Sequence, residues 1–260
     1  MHLIDIHTHV YPEKVARKAT QSICDFYELE SGNTGTSAEL IEKGSRVGIT
    51  KYLILAVAIR PNQVRGINDF IKRECDAHSE FVGFGTVHAG MDDIVGEIDH
   101  IRSLGLRGVK MHPDTQLFNI DDERLYPMYE EIAGELPVYL HTGDPRYDYS
   151  HPKRLRRVLD DFPNLQVVAA HLGGYSLFDE AQEYLRDTTC LVDVSSSLMF
   201  ISPEKAVEYI RGFGVERVMF GSDFPLWNPD DEAKRFLSLP LSNSEMEQIA
   251  HLTAEEFLGI

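Results

Sequence analysis

Two histidines one residue apart stand near the start of the chain, in Ile4-Asp5-Ile6-His7-Thr8-His9. The run reads as a short apolar strand. Side chains alternate across a strand, so His7 and His9 are expected on one side with Asp5 ahead of them, and Ile4, Ile6 and Thr8 on the other. Two imidazoles on one face can share a metal ion, but a bare His-x-His also describes ordinary loop histidines. The reading therefore depends on further donors reaching the same place. Such residues recur at the ends of later apolar runs: Lys110 and His112, His141, His171 and Asp223.

The elements that would position them alternate between strand and helix. After a mixed helical stretch and the glycine-rich loop 30–35, a candidate lid, Thr36 and Glu39 form a capping box ahead of the stripe Leu40, Ile41 and Val47. The run Ile49–Val57 is apolar throughout, as in a strand buried on both faces. Helical stripes then alternate with the strands Phe81–Val87, Leu106–Met111, Pro137–Gly143, Leu165–His171, Cys190–Ser195 and Arg217–Asp223. Ser202 caps the last intervening helix with Pro203 in its first turn, and Ser242/Glu245 and Thr253/Glu256 read as successive capping boxes near the end. Eight strand–helix rounds in 260 residues predict an α/β fold, a single-domain (β/α)8 TIM barrel spanning 1–260. In such barrels chemistry gathers at the C-terminal ends of the strands, where all the residues above fall.

Composition narrows the partners. A net charge of −17 opposes nucleic acid and acidic membranes, and the one basic cluster, Lys153-Arg154 with Arg156-Arg157, reads as a solvated helix face. There is no apolar run of spanning length and no signal-peptide pattern, so a cytoplasmic location is expected. Cys24, Cys75 and Cys190 lie far apart in no redox or metal spacing, which argues against a disulfide framework.

The joint pattern Asp5-Ile6-His7-Thr8-His9, Gly108-Val109-Lys110-Met111-His112-Pro113, Leu140-His141-Thr142-Gly143, Ala170-His171-Leu172-Gly173-Gly174 and Phe220-Gly221-Ser222-Asp223-Phe224-Pro225 resembles the metal-dependent amidohydrolase superfamily. Within it, the chain is similar to the amidohydrolase-related branch that contains aminocarboxymuconate-semialdehyde decarboxylase-like enzymes. The resemblance implies that His7, His9, His141 and Asp223 bind a divalent metal, zinc before manganese, with His171 beside the metal-bound water or substrate. Three neutral imidazoles and a carboxylate suit such ions, and an open position lowers the pKa of bound water to about 7. Asp223 and His171 are then the catalytic pair, the first moving the proton of that water and the second steadying an oxyanion. One ion is expected. A second ion would require a carboxylated, bridging Lys110, with His141 and His171 on the second metal; the simpler role for Lys110 is a cation facing a substrate carboxylate or an acidic neighbour.

His112, Arg146 and Tyr11 are substrate-contact candidates, with Trp227 in a similar loop position and His88 either lining the pocket or packing a loop. His2, His78, His100, His151 and His251 have no strand-end placement and receive no role. Gly173, Gly174 and Gly221 are read as turn glycines, since no phosphate-loop spacing is present. The family's usual asparagine-alanine pair in the last helix is replaced by a stretch reading Leu252-Thr253-Ala254, a departure that bears on terminal packing.

The expected function is a metal-dependent hydrolase of a small amide, ester or lactone. The alternative is a lyase with the same ligands, a non-oxidative decarboxylase or hydratase of an unsaturated or aromatic acid. A third reading is a barrel that binds a ligand without turnover, which the intact set of donors disfavours. The absence of a long insertion between Gly143 and Leu165, together with the Lys110/His112 pair, tilts the expectation to hydrolysis. The expected partner is a small molecule, and a homo-oligomer is compatible with the sequence.

Overall fold

Parallel strands close into a ring around the residues singled out above, in a computed structural model that describes residues 2–260. In chain order they are β1 (Leu3–Thr8), β2 (Ile49–Ile54), β3 (Phe81–Gly83), β4 (Gly85–Thr86), β5 (Val109–Met111), β6 (Val138–Leu140), β7 (Val167–Ala169), β8 (Leu191–Asp193) and β9 (Val218–Met219). β3 and β4 are one stave of the barrel: β3 pairs with β2, β4 pairs with β5, and the intervening Phe84 N–H donates to Ile54 O at 3.1 Å. The ring closes where Ile6 N–H donates to Phe220 O at 3.0 Å, Asp223 N–H to His7 O at 2.8 Å and His9 N–H to Phe224 O at 2.7 Å. A Cβ on Gly221 would lie 2.9 Å from His7 Cβ, so this seam admits only glycine without a shift. The (β/α)8 barrel expected from the alternation is present.

The core has two parts. Between the strands and the surrounding helices lie the outward residues Val109, Met111, Val138, Leu140, Val167 and Ala169, packed on helical stripes such as Ile98 and Ile101 of α4 (Ile94–Ser103) and Leu155 and Val158 of α7 (Pro152–Asp161). Inside the ring, Ile4, Ile6, Leu53, Leu55, Phe84, Tyr139, Val168, Ala170 and Met219 form a separate layer, closed from below by Ala254 and Leu258 of the C-terminal helix (Thr253–Leu258). This alternation explains the continuous apolar runs: each strand faces helices on one side and the barrel axis on the other.

Three local expectations change. β1 does not keep strict alternation: its register slips between Asp5 and Thr8, and Asp5 does not join the two histidines but accepts the N–H groups of His7 and Ser222, at 3.2 and 2.9 Å. Thr36 does accept Glu39 N–H, but the Glu39 carboxylate reaches back to the N–H groups of Thr34 and Gly35, so this box is only half formed. Ser242 and Glu245 form the reciprocal box, whereas Thr253 caps nothing, because a π turn (Gln248–Leu252) carries the chain straight into the last helix and the Thr253 hydroxyl donates to Glu216 O.

Among the described residues, no helix is long and apolar enough to cross a membrane. The basic cluster on α7 is matched by acids: Arg154 pairs with Asp121 and Asp148, Arg157 with Asp121, and Arg156 with Asp160. The three cysteines are unpaired, Cys24 and Cys190 buried and Cys75 half-buried.

Candidate metal centre

His7 and His9 leave the end of β1 with their Nδ1 atoms already engaged. His7 Nδ1 lies 3.1 Å from Asp193 Oδ2 at the end of β8, and His9 Nδ1 lies 3.0 Å from Leu55 O just beyond β2. A carboxylate and a carbonyl can only accept, so each ring carries its proton on Nδ1 and turns a lone pair outward from Nε2. Both Nε2 atoms stand 3.5 Å from Asp223 Oδ1. Two lone pairs converging on an anionic oxygen leave a place that a cation would satisfy. Tetrahedral zinc at about 2.0–2.1 Å from each ligand spaces its ligand atoms about 3.4 Å apart, so the donor set fits a divalent ion.

The electrostatics keep these donors ready. Burial, then the neighbouring Lys110 ammonium, pushes His7 down to about 3, so its ring is neutral near pH 7. Against the penalty of burial, the His7 and His9 rings that face it hold the Asp223 carboxyl well below its usual range. Asp193 is likewise held low, against burial, by His7, His171 and Ser195. It also accepts from the hydroxyls of Tyr139 and Ser195. Asp223 and His171 both adopt left-handed backbone, φ 60° and 61°, a conformation that costs a non-glycine residue about 1–3 kcal/mol and clusters at functional sites.

The other sequence candidates separate into three groups. His141 is not in the donor cluster: its Nδ1 meets His171 Nε2 at 3.0 Å and its Nε2 meets Gly143 O at 2.9 Å, so both nitrogens have protein partners. His112 stacks on it, centroids 3.9 Å apart and planes 5° from parallel, and both lie near Asp114. His171 Nδ1 faces Ser195 O at 3.0 Å. Lys110 is wholly buried on the Nε2 side of His7, 3.3 Å from that nitrogen and 4.6 Å above the Tyr139 ring; burial pushes it down to about 8, against Asp223 and Asp193.

Above the cluster opens a cavity of about 720 Å³, lined by His7, His9, His112, His141, His171 and Asp223 at its floor and by Tyr11, Val15, Ile23, Phe26, Tyr27, Ile67 and Trp227 on its walls. Arg146 does not line it. It is held bidentately by the buried Asp144, at 3.0 and 2.7 Å, stacks over Phe26 and Tyr27 and donates to Phe26 O, so its charge is spent securing the end of α1 (Ala16–Tyr27). His88 packs a loop, accepting Gly90 N–H at 2.9 Å. The loop 30–35 is tied across the mouth by Asn33, which donates to Pro225 O and Trp227 O at 2.9 and 3.0 Å.

Sequence reading missed Asp193, Tyr27, Ser195 and Ser196. Tyr27, the last residue of α1, sends its hydroxyl to His112 Nε2 at 2.8 Å, and His112 Nδ1 is buried with no partner. Trp227 donates to Ser196, which in turn donates to Asp223 Oδ2. Asp193 carried a signal, a carboxylate at the end of an apolar strand; Tyr27 carried none.

Barrel, strand-end donors and apolar mouth define a (β/α)8 protein built around a cation-ready site. The amidohydrolase family model matches residues 4–260, and the chain belongs to that family. No curated protein sequence matches it. Solved structures similar over the whole length include an uncharacterized TIM-barrel protein of Bordetella bronchiseptica (21% identity, TM-score 0.82, 100% of this chain and 99% of that one). Others are 5-carboxyvanillate decarboxylase of Sphingomonas paucimobilis (18%, 0.77, 100% and 99%) and a dihydroxybenzoic acid decarboxylase of Polaromonas with bound manganese and 2-nitroresorcinol (17%, 0.77, 99% and 97%).

Proposed function

We propose that this chain is a metal-dependent, non-oxidative decarboxylase of an aromatic or unsaturated carboxylic acid, with His7, His9 and Asp223 holding a single divalent cation, manganese or zinc. The observation that carries the reading is the cavity: apolar and aromatic walls above a polar floor suit a flat ring that points one carboxylate downward. The resemblance in fold to aromatic-acid decarboxylases agrees with it. The expectation of hydrolysis leaned on Lys110 beside His112, and Lys110 is not on the cavity wall, so that support falls away.

A divalent ion bound there supplies positive charge to a substrate oxygen. Phe26, Tyr27 and Trp227 hold the ring and exclude water. The bond from ring carbon to carboxylate breaks, its electron pair stays on carbon, carbon dioxide leaves, and the carbon takes one proton. That proton enters from solvent, and His171 passes it on from the floor when its Nε2 leaves His141, while Nδ1 stays held by Ser195 O. Asp193 fixes His7, and the Tyr27 hydroxyl fixes His112 through its Nε2.

The test is carbon dioxide release from a panel of hydroxylated benzoates, alongside lactones, esters and amides, with protein reloaded with Mn²⁺ or Zn²⁺. Release from one acid, abolished by a chelator and lowered by about 10³ or more in Asp223→Ala, is expected. Turnover of a lactone, ester or amide without any decarboxylation would overturn the assignment in favour of hydrolysis.

A further inference from the structure

At the opposite end of the barrel, the residue before β1 meets the residues of the C-terminal helical segment. His2 Nε2 and His251 Nδ1 lie 3.0 and 3.1 Å from one oxygen, Glu255 Oε1, and the two rings approach to 4.0 Å between centroids. All three ligand atoms fall within 4.8 Å of one another. The local cause is the π turn Gln248–Leu252, which leads directly into the last helix and leaves His251 and Glu255, four residues apart, on one face. His2 arrives from the strand side, and five residues of extended chain, about 16 Å, separate it from His7.

We propose that His2, His251 and Glu255 form a second, structural divalent-cation site of the zinc class, independent of the candidate active site. Imidazole and carboxylate donors suit zinc, whose bonds of about 2.0–2.2 Å place ligand atoms roughly 3.4 Å apart, close to the spacing already present. The side chains are 44%, 15% and 34% exposed, so an ion can enter from solvent and complete its shell with water. The site joins the two parts of the chain that seal the lower end of the barrel: β1, through Ile4, packs on Ala254 and Leu258 of the same helix that carries Glu255. An ion there would clip this plug to the first strand, and its binding energy would add to folding stability.

The experiment uses untagged protein stripped with a chelator, then dialysed against Zn²⁺ at pH 7.5, with bound metal counted and thermal unfolding recorded. His251→Gln and Glu255→Gln are compared with the wild type, both alone and in a His7→Ala/His9→Ala background that removes the candidate active-site donors. The expected result is that each surface substitution removes one equivalent of zinc in either background, weakens the zinc-induced rise in Tm, and, where His7 and His9 are intact, leaves carbon dioxide release unchanged. Equal stoichiometry and an equal zinc-induced Tm shift in wild type and both surface variants would overturn the proposal. Because the double background tests the lower site alone, failure of the decarboxylase reading and failure of this one are separately visible.

Discussion

Asp193 Oδ2 lies 3.1 Å from His7 Nδ1, and this contact decides which nitrogen of His7 is free. The carboxylate fixes the proton on Nδ1, orients the ring and raises the basicity of Nε2. Asp193→Asn keeps the shape but loses the charge, and its amide can present N–H where an acceptor is needed. Metal affinity is expected to fall about 10- to 100-fold, measured by competition with a chelator. Unchanged affinity, in a variant with native circular dichroism, would mean that packing alone orients His7.

Tyr27 reaches the floor of the cavity from a helix outside the barrel wall, and its hydroxyl satisfies His112 Nε2. Tyr27→Phe leaves His112 with both ring nitrogens unpartnered. A loss of about tenfold in kcat/KM is expected, close to the worth of one buried hydrogen bond. Arg146→Ala should move the same parameter in the same direction by less, since Arg146 holds Phe26 and Tyr27 without lining the cavity. Steady-state kinetics on the acid that releases carbon dioxide would show no change in either variant if Tyr27 were only part of the wall.

The barrel was legible because each stave is apolar on both faces and each helix shows a single stripe, a pattern that few other folds produce. Strand-end residues followed from it, and His7, His9 and Asp223 meet in space as adjacent staves require. What sequence periodicity could not supply is where a strand slips. The irregular register of β1 separates Asp5 from the histidines, although alternation puts them together. Nor could it show which side chains are already engaged: Arg146 is neutralised by Asp144, two residues before it, and His141 has both nitrogens bonded. His2 and His251 were passed over because they lie at no strand end, and only the fold brings residues 249 positions apart into contact.

Phe84 sits in the seam where β3 gives way to β4, fully buried in the layer inside the ring. Its ring lies over Gly108, where a Cβ would come within 2.4 Å of it, so the side chain fills space that no neighbour can enter without backbone movement. Phe84→Ala is expected to cost about 3–5 kcal/mol, read from urea denaturation. A loss below about 1 kcal/mol would mean that the layer inside the barrel collapses around the cavity.

Glu232, in the first turn of α10 (Pro229–Leu237), is buried with one oxygen 3.1 Å from Arg235 Nε and the other without a partner. Burial, offset in part by Arg235, pushes its carboxyl up to about 7. The folded state therefore holds this proton more tightly than the unfolded chain, whose glutamate titrates near 4.3. The stability it contributes is fully present below about pH 4.3 and is lost as pH rises through 7. Glu232→Gln keeps the shape and removes the charge, so it should be more stable than wild type at pH 8 by about 1–3 kcal/mol, with the advantage shrinking toward pH 5. Asp5 and Asp114 are also pushed up to about 7 by burial, so the wild-type profile alone cannot isolate one group, whereas the difference between the two proteins can. Urea denaturation at both pH values is the measurement. A difference that stays constant with pH would mean that Arg235 keeps the carboxylate ionised throughout, and the unpartnered oxygen would then cost the fold nothing that depends on protons.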